Sequence, residues 1–394
     1  VDAGESSPVP ARSATSVRAA MAVVGIAFGV VVVLLVRGGS EPLGPPVAEA
    51  SPSPAALTNG IVVYAAPADE GAARLWLWDL AGDVVRRGPL VPQPDGLVNV
   101  GSSGYGWIGI TTTFTEGMRQ AAVLDSFDPG AAAERVGFGD IVAWTREGRT
   151  VVLVDRGPIG PGCRREIEVV AIHVAGEGSE GLFDEAICGD VRSVGRTSLG
   201  FFATLHRPDG ADIVGLGYRD AGVVLPGHAL IGISPGGEML VTPAGGSIPG
   251  GSDVPEPDPP PTEVRGPASL FSQFGGRPQA YLVGGEPFIV DRVLAYAPGS
   301  VEALVVGRPV GREPAAWALP LHPDAQGSLE PVRLGPIDGF TSAAYAADGT
   351  AFVVTGVRLW VVRDDRLMPL HLPDDAPLPR GPVVWVLREP LTQL

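Results

Sequence analysis

The feature that most restricts this chain is a recurring unit: a short apolar run, a glycine-bearing turn, then a second run rich in β-branched residues. It is legible four times, as AWTREGRTVVLV (143–154), GISPGGEMLVTP (232–243), AYAPGSVEALVVG (295–307) and AYAADGTAFVVTG (344–356). Glycine supplies the positive φ that tight hairpin turns demand. A looser copy, GFFATLHRPDGADIVGLGY (200–218), carries its turn one hairpin later. From Ile61 onward no long amphipathic helix is legible, so the chain reads as all-β. Glycine (55) and proline (40) are abundant, yet 45% of residues are hydrophobic, and many short strands joined by tight turns reconcile the two facts.

Extending each unit gives four-stranded blades whose first strands are predicted to begin near Leu97, Asp140, Asp190, His228, Arg292, Phe340 and Pro382. Their spacing is a little under ~50 residues, against the ~40–50 of a propeller blade. The first unit offers only three strands, GIVVYAA, RLWLWDL and DVVRRGPLV (60–91), and the C-terminus offers one more, PVVWVLRE (382–389). A last strand that completes the first blade closes the ring and removes exposed sheet edges. Seven blades over 60–391 use the whole segment, with six and eight left open. The longest interval holds GGSIPGGSDVPEPDPPPTEVRG (245–266), which cannot be a central strand and is expected to be a disordered insertion.

Trp144 with Glu147-Gly148, Ser234-Pro235-Gly236 and Asp348-Gly349 match parts of a turn in which tryptophan, Ser-Pro-Asp-Gly and an apolar strand follow one another. In this the chain resembles the WD40-like repeat of TolB-type bacterial propellers. The resemblance covers about half of the blades, and no blade carries the full motif. It implies a β-propeller in a periplasmic or cell-surface setting, and it carries no activity across.

Before the repeats, Ala19–Val36 reads AAMAVVGIAFGVVVVLLV, without a charge and bracketed by Arg18 and Arg37. Its length meets the threshold for a membrane span. The nearest small-residue cleavage site, Ala48-Glu49-Ala50, lies well downstream, and no lipobox cysteine is present, so an uncleaved anchor is expected. Arg12 and Arg18 precede the run and only Arg37 follows it closely, which favours a cytoplasmic N-terminus. The expected organisation is a short cytoplasmic tail (1–16), a transmembrane helix (17–37), a Pro/Ser/Ala-rich linker (38–59) and an extracytoplasmic propeller. Gly25 and Gly29 form a GxxxG pattern that would let a partner helix approach closely.

The net charge of -16 argues against a nucleic-acid partner. All 28 basic residues are arginine, which a high-GC bacterial genome accounts for. Cys163 and Cys188 are candidates for a disulfide if the domain lies outside the cytoplasm. A literal G-x-S-x-G occurs at Gly232–Gly236, but Pro235 follows the serine and has no N–H to offer an oxyanion, so the segment reads as a hairpin turn. His173, His206, His228, His322 and His371 show no metal-ligand spacing, and neither a metal nor a cofactor is expected. His206, Arg207 and Asp209 could line a channel mouth, although Arg207–Gly210 also reads as ordinary turn chemistry. Acidic clusters at Asp253, Glu256, Asp258 and Glu263, and at Asp374-Asp375, read as solvated surface. The seven tryptophans fall mostly in strands and read as blade packing. The leading expectation is a protein-binding or assembly module, an accessory subunit of a membrane or envelope complex, rather than an enzyme. The alternatives are a propeller hydrolase or lyase acting on envelope carbohydrate or a lactone, and a ligand-sensing ectodomain. The hydrolase requires His, Asp, Glu or Arg side chains converging at one end of the channel.

Overall fold

The computed structural model describes residues 60–387, apart from 69–72, 92–96, 104–105, 114–118, 145–149, 160–163, 175–177, 189, 198, 208–209, 217–221, 245–265 and 340. The chain enters with β1 (Gly60–Pro67), β2 (Ala73–Asp79) and β3 (Val84–Val91). Blade 2 follows as β4 (Leu97–Ser102), β5 (Trp107–Thr113), β6 (Arg119–Asp125) and β7 (Glu134–Phe138). Blade 3 is β8 (Asp140–Trp144), β9 (Thr150–Ile159), β10 (Arg164–His173) and β11 (Ser179–Cys188). Blade 4 is β12 (Asp190–Thr197), β13 (Gly200–Arg207), β14 (Gly210–Leu216) and β15 (Val223–Leu225). Blade 5 is β16 (His228–Ile233), β17 (Glu238–Pro243), β18 (Ser269–Ser272) and β19 (Gln279–Ala280). Blade 6 is β20 (Leu282–Val283), β21 (Glu286–Tyr296), β22 (Glu302–Pro309), β23 (Ala315–Pro320) and β24 (Val332–Pro336). Blade 7 is β25 (Thr341–Tyr345), β26 (Ala351–Thr355), β27 (Arg358–Arg363) and β28 (Arg366–Pro369), and β29 (Val383–Leu387) returns to blade 1.

These strands make seven antiparallel sheets, and the first has the order β29-β1-β2-β3. The last strand therefore closes the first blade, with Val62 opposite Trp385 and Tyr64 opposite Val383. The four legible repeats are the hairpins between the first and second strands of blades 3, 5 and 7 and between β21 and β22 of blade 6. One boundary differs from the sequence expectation. The first long strand of blade 6 begins at Glu286, not near Arg292, because it runs through two bulges and pairs its first residues with β20. That sheet consequently has five strands instead of four. The apolar run 19–36 and most of the 245–266 insertion lie outside the described residues. Among the described residues no helix is long and apolar enough to cross a membrane.

Second strands are buried on both faces, which is why they read as continuous apolar runs with no alternation: Val151–Val154 and Ala351–Thr355 are buried throughout. Each joint between neighbouring blades has its own core. Blade 1, for example, turns Val62, Tyr64 and Ala66 towards Phe352 and Val354 of blade 7, and Val63, Ala65 and Leu75 towards Ile108 and Ile110 of blade 2. Period-two alternation along β1 thus feeds two different interfaces. The cores are unequal. Thirteen buried residues form the joint of blades 5 and 6, and five form that of blades 2 and 3, among the described residues.

Burial also has a pH consequence. Tyr64, Tyr281, Tyr296 and Tyr345 are four of the six tyrosines, and loss of water raises the pKa of each. For Tyr345 the neighbouring Glu302, which accepts its hydroxyl at 2.8 Å, raises it further. An unfolded tyrosine ionises near pH ~10. A folded-state pKa above that value favours the folded, neutral form, so this stability is complete below pH ~10 and is lost as the pH rises beyond it. The chain has no lysine to titrate in the same window. Absorbance at 295 nm followed with circular dichroism from pH 9 to 12 is expected to show these four phenols ionising only as the sheet signal collapses. Full ionisation with an intact sheet signal would refute it.

Candidate functional site at the channel mouth

Each blade's innermost strand has one edge facing the central channel, where its N–H and C=O groups lack a strand partner. With the two-residue β20 set aside, four antiparallel strands per blade bring every inner strand round in the same direction, so their first residues gather at one end of the channel. There the open edges are bonded by side chains of the preceding blade. The Thr111 hydroxyl accepts from Ile141 N–H (3.3 Å), Arg156 donates to the Val191 carbonyl (3.3 Å) and the Thr204 hydroxyl accepts from Leu230 N–H (2.8 Å). Arg292 donates to the Thr341 carbonyl (2.7 Å), and the Ser342 hydroxyl accepts from Val383 N–H (2.9 Å). Among the described residues, five of the seven blade joints carry such a clasp, each within the first three residues of the receiving strand. Buried backbone groups require partners, and the ring supplies them across blades.

The strongest of these contacts centres on Asp140. Arg119 donates to its Oδ1 at 2.7 Å and Arg156 to its Oδ2, so both carboxylate oxygens are held between guanidinium groups. The three side chains are 23%, 20% and 17% exposed for Arg119, Asp140 and Arg156. Because Arg156 also reaches Val191, this cluster ties blades 2, 3 and 4 together. Gly139 positions Asp140: its φ is +111°, and a Cβ there would collide with the Val154 carbonyl. A second pair, Arg308 with Asp291 at 3.2 Å, lies within blade 6.

His206 lies at this end, with Asp190 as its register partner, whereas Asp209 is outside the described residues and Arg207 is seen only as the last residue of β13. His228 opens β16, and its Nδ1 bonds the Pro226 carbonyl at 2.8 Å. Arginine and aspartate do converge at the mouth, and Asp140 is engaged on both oxygens, an arrangement suited to locking blades. Ser234 is fully buried in the hairpin turn, its hydroxyl donates to Glu238 Oε2 at 2.7 Å, and Glu238 N–H donates back to it at 3.1 Å. Asp374 and Asp375 are exposed in a turn, whereas 253, 256, 258 and 263 are outside the described residues. Among the described side chains, Trp76, Trp78, Trp107, Trp144, Trp317 and Trp360 pack into the cores between blades; Trp317 meets Phe288 edge-on at 5.0 Å. Gly25, Gly29 and Cys163 lie outside the described residues. Sequence reasoning missed Arg119, Asp140 and Arg156 because they come from three strands of two blades, and their spacing matches no motif.

No protein-family model matches the chain, and comparison with curated proteins found no relative. Among solved structures, a candidate 6-phosphogluconolactonase of Bacteroides uniformis superposes with a TM-score of 0.51 at 12% identity, over 84% of this chain and 100% of that one. The acylaminoacyl peptidase of Pyrococcus horikoshii gives 0.49 at 11%, and this chain, aligned over 80% of its length, spans about half (51%) of that enzyme. The propeller domain of the trilobed protease of Pyrococcus furiosus gives 0.47 at 11%, over 81% of this chain and 97% of that one. The Bacteroides uniformis likeness concerns the fold alone.

Proposed function

We propose that this chain is a single-pass membrane protein whose extracytoplasmic propeller binds a protein partner, as an accessory subunit of a larger envelope complex. The observation that carries the reading is the clasped channel mouth. Its polar side chains are engaged with one another and with the inner-strand edges, which supports a rigid scaffold that presents its outer surfaces. The uncharged run 19–36 supplies the tether, with the bilayer as its first partner, and Gly25 and Gly29 supply a face for a partner helix. An extracytoplasmic setting also permits the Cys163–Cys188 bridge. Arg164, next to Cys163 in the chain, is the register partner of Cys188, so a bridge would close the open end of the β10–β11 hairpin. It would contribute about 2–4 kcal/mol.

Purification from the native membrane in mild detergent, followed by native mass spectrometry, tests both points. The expected result is a stoichiometric complex with a second protein, in which the denatured, unreduced chain is about 2 Da lighter than its reduced form, one bridge having replaced two thiol hydrogens. A monomer without a partner refutes the binding reading, and equal masses refute the bridge. One observation favours a second reading: the Bacteroides uniformis fold neighbour is named for lactone hydrolysis. Acid release from a sugar lactone, abolished by His206→Ala at the mouth, is what that reading requires.

A further inference from the structure

The joint with the smallest apolar core among the described residues carries a cleft. Between blades 2 and 3 the apolar core is small, and beside it opens a cleft of about 580 Å³, within the range of ligand pockets. Its floor follows from strand register. On the face of blade 3 turned towards blade 2, Ile172 lies opposite Val151, Val170 opposite Leu153 and Glu168 opposite Asp155. The two aliphatic pairs border the joint, and the third pair is two carboxylates. Like charges directly opposite on adjacent strands destabilise a sheet. Neither carboxylate has a hydrogen bond or ion pair among the described residues. Glu134 and Arg135 also line the cleft, and the Arg135 guanidinium lies 4.0 Å over the Phe138 ring. Phe138 is 43% exposed at the lip. On the blade 2 side, Gly137 lets β7 approach closely, since a Cβ there would come within 2.8 Å of Leu153 Cδ1. The strand beside the cleft, β7, is the last of its sheet, so its outer edge is open to main-chain pairing.

An aliphatic floor, two unneutralised carboxylates, an aromatic lip and an open strand edge define one occupant. We propose that the blade 2–3 cleft binds an extended segment of a partner protein that inserts an arginine or lysine side chain between Asp155 and Glu168, its stem on Leu153 and Val170. The methylene stem suits the floor and the charged head suits the acid pair. This deepens the partner-binding reading above and rests on it. The chain's own charge of -16 is complementary to such a segment.

The test uses the full chain in non-denaturing detergent, with fluorescein-labelled Val-Arg-Val-Arg-Val as probe and Val-Glu-Val-Glu-Val as control, read by fluorescence anisotropy. The arginine peptide is expected to bind at least tenfold tighter than the glutamate peptide. The double variant Asp155→Asn/Glu168→Gln is expected to weaken the arginine peptide at least tenfold. The same variant should keep or raise the thermal midpoint, because it removes a repulsion. A structural role for the carboxylates would lower that midpoint, so the two roles move it in opposite directions. Gly137→Leu, which fills the closest approach of the two blades, should also weaken the peptide. Equal affinity for both peptides, or an unchanged affinity in the double variant, overturns the proposal. If the native complex is still recovered in that case, the cleft assignment falls and the partner-binding reading stands.

Discussion

Truncation before Val383 is expected to abolish the monomeric folded state. The strand it removes, β29, is the inner strand of blade 1, and its Val383 and Val384 are 3% and 4% exposed. Those valines belong to two different cores, the joints of blade 1 with blade 7 and with blade 2. Losing two buried valines costs about 1.5–3 kcal/mol each. The lost ladder bonds to β1 cost about 1 kcal/mol each. Their sum is comparable with the whole stability of a typical domain, about 5–15 kcal/mol. Truncation also unpairs Gly60–Tyr64 of β1, and an open apolar edge invites association. Size-exclusion chromatography of the truncated chain should show aggregates, and a synthetic peptide of residues 381–394 added during refolding should restore a monomer peak. A truncated chain that elutes as a monomer with an unchanged urea midpoint would show that ring closure does not depend on this strand.

Asp140→Ala carries the next largest expected effect, a loss of about 2–3 kcal/mol in urea unfolding. Removing one member of a buried pair costs about 3–5 kcal/mol, because the remaining charge is left without its partner. Residual exposure of 17–23% at this cluster reduces that figure. Two guanidinium groups lose their shared acceptor at once, and the mutual repulsion that the carboxylate screened is released. Adding Arg119→Met to Asp140→Ala should restore part of the loss, since it removes one stranded charge and leaves an aliphatic stem beside the blade joint. A strictly additive double variant, or a single variant within about 0.5 kcal/mol of the parent, would remove Asp140 from the forces that hold blades 2, 3 and 4.

Much of the fold was legible because a propeller blade is a local object. Leu97, Asp140, Asp190 and His228 each open an inner strand where expected, and Thr341 and Val383 follow their expected positions by one residue. Glycine and proline punctuate those hairpins, and a turn's chemistry is contained in a few consecutive residues. The closure of blade 1 was legible for a related reason: three strands at one end and one at the other is a count, and counts survive without coordinates. The start of blade 6 was misread because β21 carries two bulges, and a bulge interrupts the alternation from which a strand boundary is inferred.

The candidate sites lay beyond that reach. The residues that clasp the channel mouth act on a strand of the next blade, and nothing in a one-dimensional pattern states that Thr111 will meet Ile141, or that Arg119 and Arg156 will share one carboxylate. Asp155 and Glu168 become a pair only through the register of β9 on β10, and they face a cleft only because the joint of blades 2 and 3 has a small core. The all-β class, the repeat and its closure were already written in the order of residues, because backbone propensity and turn chemistry act between near neighbours. Tertiary structure alone decided which charges are neutralised and which are left open, because a charge is answered by what packs against it, and in a ring of blades that neighbour comes from a distant part of the chain.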